Sequence, residues 1–117
     1  WREAVLAFSS ATRSLMRVAP SYEVPRQAAE SRKARVHEGD LAADHAHGLP
    51  AMLSVDRQPG LIYLCNPNNP TGTLTPAKAI EQALANKPKG SILLVDEAYI
   101  DFSDAPSCVA WVKDHAD

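Results

Sequence analysis

Residues 61–72, LIYLCNPNNPTG, and residues 92–99, ILLVDEAY, decide how this chain is read. Each is an apolar run that halts at polar residues able to hold a ligand. The first halts at Asn66-Pro67-Asn68-Asn69-Pro70-Thr71-Gly72, the second at Asp96-Glu97-Ala98-Tyr99. Neither run alternates apolar with polar, so both fit strands covered on two faces. In an open α/β sheet ligands lie outside the carboxyl ends of the strands. Two neighbouring strands ending in this way therefore point to one edge and one site.

The flanking sequence supplies the rest of the alternation. Residues 14–19 and 34–37 are short strand candidates, the first stopped by Pro20, the second by a turn at Gly39-Asp40. Ala4, Val5 and Phe8 stand at helical spacing within residues 1–10. Residues 23–32 read as a helix with Pro25 in its first turn, where a missing N–H costs little. Residues 42–55 read as a helix interrupted by Gly48 and Pro50. Residues 75–86 read as a helix with Thr75 as cap and Pro76 at its first position, ended by Lys87-Pro88-Lys89-Gly90. A last helix is expected over 106–115, with Val109, Val112 and Trp111 facing inward. Helix and strand alternate throughout, without an internal repeat, a low-complexity segment or a linker. The expectation is an α/β fold, a three-layer α/β/α sandwich about a mostly parallel sheet, in which residues 60–65 and 91–95 are central strands.

The 117 residues suffice for one domain. Hydrophobic residues make up 45% and charged residues 22%, as in ordinary globular chains. A net charge of −2 gives no electrostatic case for nucleic acid or an anionic membrane. No apolar run approaches the roughly 20 residues of a membrane span. Cys65 and Cys108 are too few for a disulfide framework, and Cys65 falls in a strand, so a reduced, cytoplasmic setting is expected. Trp1 opens directly into a helical pattern and Asp117 closes without a tail, so the chain is expected to be an internal segment.

Asp96 leads the chemistry. A carboxylate at the end of an apolar strand needs a partner, because an unpaired buried charge costs several kcal/mol or more. No basic residue is close in sequence, which leaves a cationic ligand group as one partner and a cap on the following turn as the other reading. Asn69 stands between Pro67 and Pro70, which fix two φ angles and forbid helix, so its amide is held in place. Plain turn chemistry is the competing reading. Tyr99 is three residues beyond Asp96, and a tight turn brings its phenol back to the same side; half-buried packing is its alternative. His45 and His47 are two apart with no cluster to complete a metal site, so no metal is expected. Cys65 reads as a packed strand residue, and the basic residues from Arg26 to Arg35 as a solvated helix face.

The pair NPNNPTG and VDEAY, in this order and separated by one helix, resembles the fold-type I pyridoxal-phosphate enzymes. Within them it is most similar to class I/II aminotransferases of the histidinol-phosphate aminotransferase kind. The resemblance implies that Asp96 pairs with the protonated pyridine nitrogen of pyridoxal 5'-phosphate. A negative charge there raises the nitrogen's pKa and makes the ring a better electron sink. It implies that Asn69 and Tyr99 hydrogen-bond the cofactor's phenolic oxygen. It also implies that Tyr22, in Pro20-Ser21-Tyr22-Glu23, stacks on the ring; a surface tyrosine before a helix is the other reading of Tyr22.

The same resemblance implies parts that this chain does not supply. The Schiff-base lysine, in a Ser-Lys segment, is expected beyond Asp117, and Lys113 is not that residue. The glycine-rich phosphate-binding turn is expected before Trp1. The arginine for the substrate carboxylate and the small domain lie elsewhere too. Residues 1–117 are then part of the cofactor-binding large domain of a homodimeric parent, inactive alone. The implied activity of the parent is exchange of an amino group between an amino acid, of histidinol-phosphate or aromatic type, and a 2-oxo acid. A lyase or decarboxylase of the same fold, similar to threonine-phosphate decarboxylase, is the nearest alternative. A non-catalytic α/β module whose strand ends only cap and turn is the alternative from another class.

Overall fold

The computed structural model describes residues 1–41 and 48–115. The elements are α1 (Arg2–Phe8), β1 (Leu15–Ala19), α2 (Val24–Ser31), β2 (Val36–Asp40), α3 (Leu49–Leu53), β3 (Leu61–Cys65), α4 (Ala77–Asn86) and β4 (Ile92–Asp96). Two 3₁₀ turns follow, Ile100–Phe102 and Cys108–Trp111. The strands form one sheet in the order β2-β1-β3-β4, with every neighbouring pair parallel.

Side-chain alternation along the strands sorts the apolar residues between two faces. Leu15, Leu61, Tyr63 and Cys65 pack with Val5 and Ala29, beneath α1 and α2. Met16, Val18, Ile62 and Leu64 pack with Leu49, Met52, Ile80 and Ala83, beneath α3 and α4. Every residue of β3 is buried, as its unbroken apolar run requires. Gly60 admits the end of α1: a Cβ there would stand 1.8 Å from the carbonyl oxygen of Phe8. The result is the three-layer arrangement that the alternation of elements predicts.

The strand order places the reversal of winding between β1 and β3. The β1–β2 and β3–β4 ladders run the full length of the strands. The β1–β3 ladder holds only Leu15 against Leu61 and Met16 against Ile62. Beyond those pairs the two strands part, so a crevice opens at their carboxyl ends. That is the place where doubly wound sheets bind ligands.

Several expectations are corrected. The 91–95 strand is not central: β4 lies at the edge of the described sheet and all its residues are half-buried, because nothing pairs with its outer side. Gly39-Asp40 is not a turn. Both residues continue β2, opposite Val18 and Ala19, with Met52 packed over Gly39. Thr75 does not cap α4. It is buried with its N–H on Asn66 Oδ1, and the helix starts after Pro76. No α-helix forms over 106–115. The Glu97 carboxylate accepts from the Cys108 N–H at 2.8 Å and from the Ser107 hydroxyl, and the segment closes into a 3₁₀ turn. Cys108 and Trp111 pack inward from that turn, but Val109 and Val112 are 72% and 70% exposed. Residues 42–47 of the interrupted 42–55 helix, with His45 and His47, lie outside the described residues.

Candidate functional site

Three strand ends meet at the carboxyl edge: Pro20-Ser21-Tyr22 after β1, residues 66–72 after β3, and Asp96 closing β4. The 66–72 loop is fixed by its own polar groups. Asn66 donates its N–H to the Asp96 carbonyl at 2.9 Å, carrying the β3–β4 ladder one step further. Its side-chain oxygen accepts from the Thr75 N–H at 2.8 Å, which ties the two feet of the loop together. Asn68 is buried. Its N–H donates to the Thr73 carbonyl at 2.9 Å, and its carbonyl accepts from the Gly72 N–H at 2.7 Å. Gly72 takes φ +69°, a left-handed conformation that glycine adopts without a Cβ penalty. The peptide bonds preceding Pro20, Pro67 and Pro70 are all cis.

Asn69 and Tyr99 are brought to one place. Both line an open cleft of about 790 Å³, together with Asn68, Leu74 and Phe102. Tyr99 is 48% exposed and lies 6.3 Å from the Phe102 ring, centroid to centroid. The turn over residues 97–100, closed by the Ile100 N–H on the Glu97 carbonyl at 3.0 Å, carries Tyr99 to this side. Tyr22 stands at the same edge, half-buried, packed on the α1–α2 core and edge-on to Trp1 at 5.9 Å.

Asp96 is held by neutral donors. The Tyr63 hydroxyl donates to Oδ2 at 2.7 Å, and the Ala98 N–H donates to Oδ1 at 3.1 Å. The second bond is the turn-capping interaction that competed with the ligand reading; both readings of Asp96 are compatible with the geometry. Among the described residues Asp96 forms no ion pair. A carboxylate offers about four lone-pair sites, so two donors leave room for a cationic N–H. This arrangement fits the pyridine nitrogen of pyridoxal phosphate; Asn69 and Tyr99 line a cleft at the same sheet edge, and Asp96 is not among its lining residues.

Sequence reasoning missed Tyr63, Asn68 and Arg17. The signal for Arg17 is a lone basic residue inside the apolar run LMRVA. It is fully buried, and Nη2 donates to the Ser21 carbonyl at 3.1 Å and to Glu23 Oε1 at 2.8 Å. Those acceptors bracket Tyr22, so Arg17 holds the loop that carries it. Nε donates to the Val18 carbonyl at 3.1 Å and lies 3.4 Å from Glu38. The Arg17 hydrogen bond, then that of Arg26, holds the Glu23 carboxyl below its ordinary range. Among the described residues, two buried side-chain atoms have no hydrogen-bond partner, Arg17 Nη1 and Asn68 Oδ1. Arg17 lies on β1 and Asn68 in the loop after β3, the two strands that border the crevice.

Residues 3–117 match the family model described as aminotransferase class I and II. The chain is 43% identical, over 68 residues, to a histidinol-phosphate aminotransferase of Stutzerimonas stutzeri; the alignment covers 57% of this chain and 19% of that protein. Its fold is similar to that of the histidinol-phosphate aminotransferase from Clostridium acetobutylicum, with a TM-score of 0.83 and 23% identity over 97% of this chain and 34% of that one. It is also similar to the histidinol-phosphate aminotransferase from Sinorhizobium meliloti in complex with pyridoxal-5'-phosphate. There the TM-score is 0.74, with 23% identity over 87% of this chain and 28% of that one. At such identity the two structures speak for the fold alone. The chain spans about a fifth of the length of the curated relative and about a third of the structural ones.

Proposed function

The chain belongs to the class I and II aminotransferases, and on that premise we propose that the whole protein uses pyridoxal 5'-phosphate to exchange an amino group between an amino acid and a 2-oxo acid. The observation that carries this reading is the Asp96 carboxylate. It closes β4 beside the Asn69 loop, is oriented by two neutral donors, and has no cation next to it among the described residues.

The bound cofactor supplies a cationic ring that draws electrons from the carbon losing its proton. This chain supplies the walls that tune it. Asp96 holds a proton at the ring nitrogen by Coulomb attraction. Asn69 and Tyr99, which line one cleft, would hydrogen-bond the phenolic oxygen. Tyr22, at the same sheet edge, would cover one face of the ring and exclude water from it. The amino donor is histidinol phosphate, after which the relatives are named, or an aromatic amino acid. The aminotransferase reading is favoured over a decarboxylase by the 43% identical relative. A homodimer in the cytoplasm completes the proposal, on family grounds alone.

The test is to load the whole protein with pyridoxal phosphate, supply histidinol phosphate or phenylalanine with a 2-oxo acid, and follow the new amino acid by mass spectrometry. Carbon dioxide release in place of amino transfer would favour the decarboxylase. Neither product, with no binding of the cofactor, would reject the reading.

A further inference from the structure

Tyr63 stands in the middle of a strand whose every residue is buried, and is itself 1% exposed. A tyrosine in such a place costs stability unless its hydroxyl finds a partner. Tyr63 lies opposite Leu94 in the β3–β4 ladder. Leu94 and Asp96 share one face of β4, so Asp96 is the diagonal neighbour of Tyr63 toward the carboxyl edge, within reach of a long aromatic side chain. The hydroxyl meets Asp96 Oδ2 at 2.7 Å, and Oδ1 is held by the Ala98 N–H.

We propose that Tyr63 is a positioning residue for Asp96: its buried hydroxyl aims the carboxylate toward the place of the cofactor's ring nitrogen, whose proton the carboxylate then holds. The inference rests on the reading of Asp96 given above. Burial, then the bond to Asp96, pushes the Tyr63 phenol far above its ordinary pKa, so it stays a donor at any pH the fold tolerates. With one donor on each oxygen, the orientation of the Asp96 carboxylate is fixed. Without the Tyr63 bond the carboxylate is free to turn away from the ring nitrogen, which then holds its proton less firmly. The other groups near the pair are Cys65, beside Tyr63 on the same face, and Arg17 behind Cys65; neither bonds to Asp96.

The test uses the whole protein with pyridoxal phosphate labelled with nitrogen-15. Tyr63→Phe keeps the ring and removes the hydroxyl. We expect the nitrogen-15 resonance to move toward the neutral pyridine position and kcat to fall about tenfold, equivalent to one pKa unit, with KM nearly unchanged. In an Asp96→Asn background the same substitution should change neither quantity further, since the route through the carboxylate is gone. Should Tyr63→Phe fail to fold, 3-fluorotyrosine at position 63 keeps ring and hydroxyl and is the stronger donor. It should move the resonance the opposite way. An unmoved resonance in either variant overturns the proposal, as does an undiminished effect of Tyr63→Phe in the Asp96→Asn background. The Asp96→Asn protein separates the two ideas. If it transaminates normally, the reading of Asp96 fails. If it is impaired while Tyr63→Phe is normal, only the role of Tyr63 fails.

Discussion

The side-chain amide of Asn68 donates to the carbonyl oxygen of Pro20 at 3.1 Å, across the crevice where β1 and β3 part. The two strands share only two paired positions, so past Met16 and Ile62 the sheet has no ladder to hold its carboxyl edge closed. Asn68 supplies a substitute. It joins the loop bearing Asn69 to the loop bearing Tyr22, with Thr71 Oγ1 as its second acceptor at 2.8 Å.

Asn68→Ala should therefore act on both loops together. The Pro20 carbonyl loses its donor; Pro20 is exposed and its carbonyl can be hydrated, so the lost bond should cost about 0.5–1.5 kcal/mol. Urea unfolding should show that loss. Titration of the cofactor-free whole protein with pyridoxal phosphate should show weaker binding. Wild-type affinity in a destabilised variant would mean that the bridge serves the fold only.

Asp96 and Asn69 should separate in their effects. In the whole protein Asp96→Ala removes the charge that favours a cationic ring, so turnover should fall by orders of magnitude while cofactor content falls little. Asn69→Ala leaves that charge in place, so it should chiefly alter the visible absorbance of the bound cofactor and its pH dependence. Equal turnover in the Asp96→Ala and wild-type proteins would refute the role given to Asp96.

How much of this was legible depends on what kind of contact each residue makes. β3 was readable because an unbroken apolar run bounded by Gly60 and Asn66 has few alternatives to a buried strand. Asn69, Asp96, Tyr99 and Tyr22 were readable as strand-end residues, and the structure places all four at one edge. β4 misled because edge and centre are properties of the neighbours, not of the strand: ILLVD is as apolar as LIYLC, yet half-exposed. Tyr63 and Arg17 were hidden for a related reason. Tyr63 bonds a residue 33 positions away, through a register that no local pattern encodes. Arg17 looked like an interruption of a strand, whereas its partners Ser21 and Glu23 are close in sequence and reached only because the chain folds back after Pro20. The Thr75 cap failed because the helix starts one residue later than expected, which puts Pro76 at the cap position.

Arg17→Ala should be among the most damaging substitutions away from the cleft itself. It leaves a cavity, deprives the Ser21 and Val18 carbonyls of donors, and frees the segment that positions Tyr22. Breaking a buried, paired charge by removing one partner costs about 3–5 kcal/mol. Here the remaining partners Glu23 and Glu38 are partly exposed and can be hydrated, so the lower end is expected. Thermal unfolding measures the stability. Quenching of Tyr22 and Trp1 fluorescence on cofactor addition measures the loop, and an unaltered quenching curve would detach Arg17 from the site.

Acid should loosen the molecule at both ends of β1, and the direction follows from two carboxylates. Glu23 is held below its ordinary value of 4.5 first by the Arg17 hydrogen bond and then by that of Arg26. Asp56 is held below 3.8 first by the Ser14 hydroxyl and then by the Gln58 N–H, with His37 and Arg35 as weaker electrostatic contributors. A carboxyl whose folded pKa is depressed binds fewer protons folded than unfolded over the interval between the two values. Its stabilisation is complete above the unfolded value and is lost as pH falls through the folded one. Stability should thus be flat with respect to these groups above pH about 4.5 and decline below it. Glu23 is half-exposed, so solvent screening keeps its share small. Its loss nevertheless leaves Arg17 buried beside a neutral partner. Glu23→Gln should lower the melting temperature at pH 7 and shallow its decline below pH 4.5, and Asp56→Asn should do the same from the other end of β1. Melting curves taken across pH 2–7 for the three proteins decide it: an acid limb identical in all three would show that neither carboxylate governs it.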